Sequence, residues 1–137
     1  MTSVAFFTAP KPFTNAHIRI IQRNAIQSWK SLGRQVEVWL VGDEPGVEQN
    51  ARELQVGYIP GVARNSFGTP RIDSIFYLVR EQSQAEYLCY VNADILVFPD
   101  MLRALEEVRA RVDRFLIIGR RWDAAVTETL DIKEGWH

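Results

Sequence analysis

Apolar residues fall into short clusters separated by polar turns, and their spacing alternates between the two regular periods. Ser3 to Phe7 is a short apolar run of strand length, followed by a loop in which Pro10 and Pro12 forbid regular pairing. Ile18, Ile21, Ala25, Ile26, Trp29 and Leu32 then recur at helical spacing, with Gly33 placed to end the run in a left-handed conformation. Val36 to Val41 is β-branched and aromatic, and Gly42-Asp43-Glu44-Pro45-Gly46 closes it ahead of a helical stretch reaching Leu54. Tyr58-Ile59-Pro60 predicts a brief third strand.

After a polar loop, Arg64 to Pro70, the positions Ile72, Ile75, Phe76 and Val79 predict a helix with a buried stripe. Tyr87 to Val91 is an unbroken apolar strand of the kind covered on both faces in a parallel sheet, and Ile95 to Phe98 continue it in extended form. Pro99 and Asp100 start a helix with Met101, Leu105, Val108 and Val112 on its inner face, and Phe115 to Ile118 predict a last strand. Gly119 to His137 carry no firm pattern.

Repeated strand and helix alternation predicts a three-layer α/β/α, Rossmann-like domain with a mostly parallel sheet and right-handed crossovers, spanning residues 1–137 as one unit. Ligands of such sheets bind outside the carboxyl ends of the strands, where the topology reverses. Three polar loops are expected on that edge: the turn at Asp43, the loop at Arg64 to Thr69, and Asn92-Ala93-Asp94.

Composition narrows the function. The chain has 137 residues, 47% of them hydrophobic, enough for one sizeable core. Its 16 basic and 17 acidic residues are interspersed, which argues against a nucleic-acid or anionic-membrane partner. Neither a leader-like basic and apolar amino terminus nor a run of roughly 18 apolar residues is seen, and the single Cys89 allows no internal disulfide. A soluble, cytoplasmic protein is therefore expected.

Gly-x-Gly-x-x-Gly and Walker patterns are absent, which counts against dinucleotide and P-loop chemistry. One cysteine with His17 and His137 far apart disfavours zinc, and neither histidine has a nucleophile beside it.

The remaining candidates are oxygen-rich. A carboxylate at a strand end suits a hard divalent cation, making Asp94 the candidate metal ligand with Asn92 and Ala93 beside it. Asn and Asp are also common turn formers, but an apolar strand delivers this pair to the ligand-binding edge. Asp43 and Glu44 can accept hydrogen bonds from a nucleobase or ribose, or simply form a solvated turn. Arg64 and Asn65 can hold phosphate or ribose, with Gly68 permitting close backbone approach, or belong to a polar connection. Arg120 and Arg121, after the last predicted strand, can face a diphosphate, and Trp122 can shape a pocket or plug a loop.

The same segments carry a family resemblance. Thr8 to Phe13, Asn24 to Trp29, Gly42-Asp43-Glu44, Arg64-Asn65 through Gly68-Thr69-Pro70, Tyr90 to Ile95 and Gly119 to Asp123 together resemble the nucleotide-diphospho-sugar transferases, the GT-A fold glycosyltransferases, and most closely family-2-like bacterial members. The resemblance implies a sugar-nucleotide site holding a UDP- or GDP-sugar with Mn2+ or Mg2+, with Pro10, Asp43, Glu44, Arg64, Asn65, Asn92, Ala93, Asp94 and Arg121 on the donor and Asp94 on the metal. Asn92-Ala93-Asp94 looks like the family's Asp-x-Asp motif with its first acid replaced by Asn.

Such catalytic domains usually extend further, so the resemblance covers the donor-binding half and lacks the C-terminal acceptor half. A catalytically silent sugar-nucleotide-binding or assembly module is the alternative from another class, and a nucleotidyltransferase a further one. Apolar surface left open by a half-domain would also favour a homodimer.

Overall fold

The computed structural model describes residues 2–133. Its elements run β1 (Val4–Thr8), α1 (Ala16–Lys30), β2 (Val36–Val41), α2 (Val47–Leu54), β3 (Gly57–Ile59), α3 (Ile72–Gln82), β4 (Tyr87–Tyr90) and α4 (Asp100–Arg109). The strands form one parallel sheet in the order β3-β2-β1-β4. This is a Rossmann-like α/β fold.

Alternation along the strands divides the core in two. Val4 and Phe6 of β1 and Val38 and Leu40 of β2 face α1, α2 and α4, which contribute Ala25, Ile26, Trp29, Val47, Ala51, Leu54 and Leu105. Ala5, Phe7 and Val41 face the other way, onto Ile75 and Val79 of α3. Three helices therefore cover one face and α3 the other. β1 is buried at every position because it lies inside the sheet with both faces covered.

The helix boundaries have local causes. Asn15 caps α1 by accepting from the Ile18 N–H at 3.1 Å. The helix stops at Lys30 with Ser31 as its cap, so Gly33 is not its terminating residue; it lies in the turn to β2, with φ +133°. β1 begins one residue later than the apolar run predicts, and α4 ends at Arg109, leaving Val112 exposed beyond it. In α3 only Ile75 and Val79 of the expected stripe are buried, while Ile72 and Phe76 are exposed.

Two strand expectations are corrected. β4 is an edge strand, and its residues are half-buried to exposed, because one side of it has no neighbouring strand among the described residues. Phe115 to Ile118 form no strand; Leu116 is 84% and Ile118 82% exposed.

Topology explains the second correction. α1 and α2 step the chain from β1 to β2 to β3 over one face, and α3 returns it over the other face to the far side of β1. α4 packs on the α1 face, where a right-handed connection would step from β4 back toward β1. Both sides of β1 are already filled. Pairing residues 115–118 in parallel outside β4 would need a left-handed crossover, which the twist of strands strongly disfavours.

No helix among the described residues is long and apolar enough to cross a membrane. His137 lies outside the described residues, and His17 is exposed in the first turn of α1.

Candidate functional site

Because β1 leads to β2 on one side and β4 returns on its other side, the topology switches direction between β1 and β4. Thr8 to Pro10 and Val91 to Asp94 leave the carboxyl ends of those two strands, so the switch point is bordered by both segments. The turn at Asp43 and Glu44 leaves β2 on the same edge, and the segment to Arg64 leaves β3. With strands about 4.8 Å apart, the ends of β2 and β4 are roughly 10 Å from each other.

Asn92-Ala93-Asp94 forms a turn closed by the Ile95 N–H donating to the Asn92 carbonyl at 3.1 Å. Ala93 is buried beneath it, whereas Asn92 and Asp94 are exposed. The segment after it is anchored by α1: the Trp29 Nε1–H donates to the Ile95 carbonyl at 2.9 Å, and the Val97 N–H donates to Ser28 Oγ at 3.0 Å. The Asp94 carboxylate thus stands on a held backbone, facing solvent.

α1 grips the loop after β1 in the same way. Gln22 Oε1 accepts from the Lys11 N–H at 2.8 Å and its Nε2 donates to the Lys11 carbonyl at 3.0 Å. Asn24 holds the tail, donating to the Glu128 carbonyl and accepting from the Leu130 N–H, both at 2.9 Å. Gln22, Asn24 and Ser28 are buried polar residues within an otherwise apolar helical face. Sequence reasoning passed over them as positioning residues, although polar side chains interrupting a buried stripe must find partners, and that was the available signal.

Arg64 joins two of the three loops. Its Nη2 lies 3.0 Å from Asp43 Oδ1, and its Nη1 donates to Glu44 Oε1 at 2.9 Å and to the Gly68 carbonyl at 2.8 Å. The planar guanidinium fork suits two acceptors at once. Asn65 is turned inward on its own loop, its Oδ1 accepting from the Phe67 and Thr69 N–H groups at 2.9 and 3.1 Å. Gly68 has φ +80°, which the tight turn requires.

The Phe13 N–H donates to the Pro45 carbonyl at 2.8 Å, tying the loop after β1 to the turn after β2. Pro10 is buried at that position. Thr8, at the end of β1, has a buried hydroxyl that makes no hydrogen bond within the described chain. Such an atom needs a polar partner from water or a ligand.

Arg121 stands apart. With no strand before it, Gly119 to Asp123 is exposed and irregular, Arg121 pairs with Asp123 at 3.4 Å, and Trp122 is 96% exposed. The side chain neither plugs a loop nor lines a pocket. Two shallow depressions, of about 450 and 500 Å³, are lined by residues such as Thr2 and Gln35, or Val36 and Gly57, near the amino ends of strands and away from this edge.

No group of three or more His, Cys, Asp or Glu side chains is arranged to hold a metal among the described residues. Asp94 offers one exposed carboxylate. An ion held there would take its remaining oxygens from ligand phosphates and water, a coordination that Mg2+ commonly uses.

No protein-family model matches the chain, and neither the curated proteins nor the solved structures searched contain a match.

Proposed function

We propose that the chain binds a nucleotide-diphosphate sugar with Mg2+ or Mn2+ at the carboxyl edge of its sheet, as the donor-binding half of a GT-A-like glycosyltransferase. The observation that carries this reading is the exposed Asp94 carboxylate at the β1/β4 switch point, on a backbone fixed by Trp29 and Ser28. A sugar nucleotide needs an anion-compatible metal position and a separate polar position for its base and ribose. The Asp94 turn and the Asp43-Glu44 turn would supply these, leaving strands whose ends are roughly 10 Å apart.

In this reading Asp94 would hold the divalent ion, and Asn92 would assist through its amide oxygen. Asp43 accepts a hydrogen bond from the base or ribose through the oxygen that Arg64 leaves unpaired, while Glu44 and Arg64 fix its position. The buried Thr8 hydroxyl and Pro10 border the floor between the two turns, with Ala93 beneath the metal-side turn. Asn65 keeps the Arg64 loop closed, and its amide nitrogen remains available to a ribose or phosphate oxygen. Arg121 reaches the donor only if the tail carrying it folds toward that edge.

The bound ion would supply Lewis-acid stabilisation of the departing diphosphate. In transfer, an acceptor oxygen bonds to the anomeric carbon while the carbon–oxygen bond to the diphosphate breaks and its electron pair stays on the leaving group. The proton of the acceptor hydroxyl would leave to solvent, to which the Asp94 turn is open.

Calorimetry with UDP- and GDP-sugars, with and without Mn2+, tests the reading. The expected result is metal-dependent binding of at least one donor, weakened roughly 10- to 100-fold by Asp94→Ala, as for loss of a contact to a charged group. Failure of every sugar nucleotide to bind, or metal-dependent binding that survives Asp94→Ala, overturns it.

A further inference from the structure

The outer side of β4 is a strand edge with no paired strand among the described residues. The Tyr87 and Val91 N–H groups donate inward to the Ser3 and Phe7 carbonyls. By the alternation of a strand, the Leu88 and Tyr90 N–H groups point outward, where no strand of the described chain pairs with them. Proteins usually blunt such an edge with proline, lysine, a bulge or a covering helix. Tyr87-Leu88-Cys89-Tyr90-Val91 has none of the residue devices, carries no charge, and sits in a regular parallel register with β1.

We propose that this edge is a homodimer interface, in which β4 pairs antiparallel with β4 of a second copy to give one eight-stranded sheet. The positions of the outward groups define the register. Leu88 and Tyr90 would exchange both of their hydrogen bonds with Tyr90 and Leu88 of the second copy, so that the two-fold axis passes Cys89. The strand is self-complementary in this register because its outward donors lie symmetrically about one residue.

Side chains fit the same register. Leu88 lies opposite Tyr90, and Tyr87 opposite Val91, aromatic–aliphatic pairs of the kind that stabilise sheets. The strand itself carries no charge, so no like charges oppose each other within it. On the α3 face the seam would cover Tyr90 and Phe76, 37% and 38% exposed, which form one cluster with Phe7 at ring separations of 4.9 to 6.4 Å. On the other face Tyr87 stacks on Phe115 at 5.3 Å, and the exposed Leu116 to Ile118 run continues from there.

A second copy is favoured over this chain's own apolar segment as the occupant. Residues 115–118 form no strand in the structure, and Phe115 lies instead against Tyr87 on the α1 face. The strand that meets the symmetric antiparallel register is β4 itself.

Sedimentation equilibrium over a micromolar to sub-millimolar range should give a monomer–dimer equilibrium. Leu88→Pro removes one outward N–H per copy, a group idle in the monomer, and should raise the dimer dissociation constant at least about 30-fold while circular dichroism stays that of the folded chain. Register is read independently from nitroxides on Glu86→Cys in a Cys89→Ser background. Glu86 of one copy aligns with Asn92 of the other, six residues along the strand, so the two labelled backbone positions should lie about 20 Å apart. A monomer at every concentration, or a dimer whose label separation departs clearly from this value, overturns the proposal. If Leu88→Pro unfolds the chain, the label distance alone decides.

Discussion

The indole of Trp29 donates to the carbonyl of Ile95, one residue beyond Asp94, at 2.9 Å. A fully buried side chain of the core thereby sets the exit path of the candidate metal-binding turn. Trp29→Phe keeps most of the apolar burial and removes only this donor and part of the ring. The expected cost is at least about 1 kcal/mol, from a part-buried carbonyl left without its donor and the space the smaller ring leaves, measured by denaturant unfolding. Hydrogen exchange should accelerate at residues 95–97 more than in β1. An unchanged exchange pattern there would separate Trp29 from the positioning of Asp94.

Arg64 holds Asp43, Glu44 and the Gly68 carbonyl together with a side chain about one-quarter exposed. Asp43 is itself well exposed, so the ion pairs add little to stability, on the order of 1 kcal/mol or less. Arg64→Ala should therefore shift the melting temperature only slightly. Its larger expected effect is local: the loop of residues 65–69 loses its tether to the turn after β2 and should be cleaved several-fold faster in limited proteolysis. Arg64→Lys should rescue this only in part, because an ammonium lacks the planar fork that meets two carboxylates. Equal cleavage rates in all three proteins would show that the loop is held by Asn65 alone.

Much of this architecture is legible in the apolar periodicity. β2 carries its own boundary signals and was predicted at its observed limits, and the Asp43, Arg64 and Asp94 loops do leave the carboxyl ends of strands. What failed was the status of segments whose outcome depends on neighbours. The Phe115 to Ile118 run looks like a strand by composition, yet strand formation needs a partner, and the side of the sheet taken by α4 removes the right-handed slot. Tyr87 to Val91 looks buried on both faces, but strand order decides whether it is central or marginal, and order is not a local property. Gln22, Asn24 and Ser28 were hidden for a related reason: the partners they anchor outside α1 are 11 to 106 residues away in the chain. For Arg121 the expected position depended on that missing strand.

Gly46 joins the turn after β2 to the loop after β1 by close approach. It has φ +85°, and a Cβ there would lie 2.8 Å from the Phe13 Cβ. Gly46→Ala adds left-handed strain of about 1–2 kcal/mol to an overpacking cost of similar size, so a loss of at least about 2 kcal/mol is expected in chemical denaturation. Gly61→Ala, in open space with no positive φ, serves as the control and should change stability by less than about 0.5 kcal/mol. Comparable losses in the two variants would contradict the assigned contact.

Burial pushes the Cys89 thiol up from 9.0 to about 12. The folded chain thus holds the proton more tightly than the unfolded one, and the sign follows from linkage. The contribution to stability is fully present below pH 9.0 and is lost progressively as pH rises toward about 12. Tyr90, raised by burial too, pulls the same way at the top of this range, so wild type alone does not isolate the thiol. Cys89→Val removes the titrating group while keeping an apolar side chain of similar size. Denaturant midpoints should fall less steeply in the variant than in wild type between about pH 9 and pH 11. At neutral pH the native thiol should also react with iodoacetamide far more slowly than in the unfolded chain, because the thiolate is the nucleophile. Identical pH slopes in the two proteins, or rapid alkylation of the folded chain, would mean that the β4 interior admits water at Cys89.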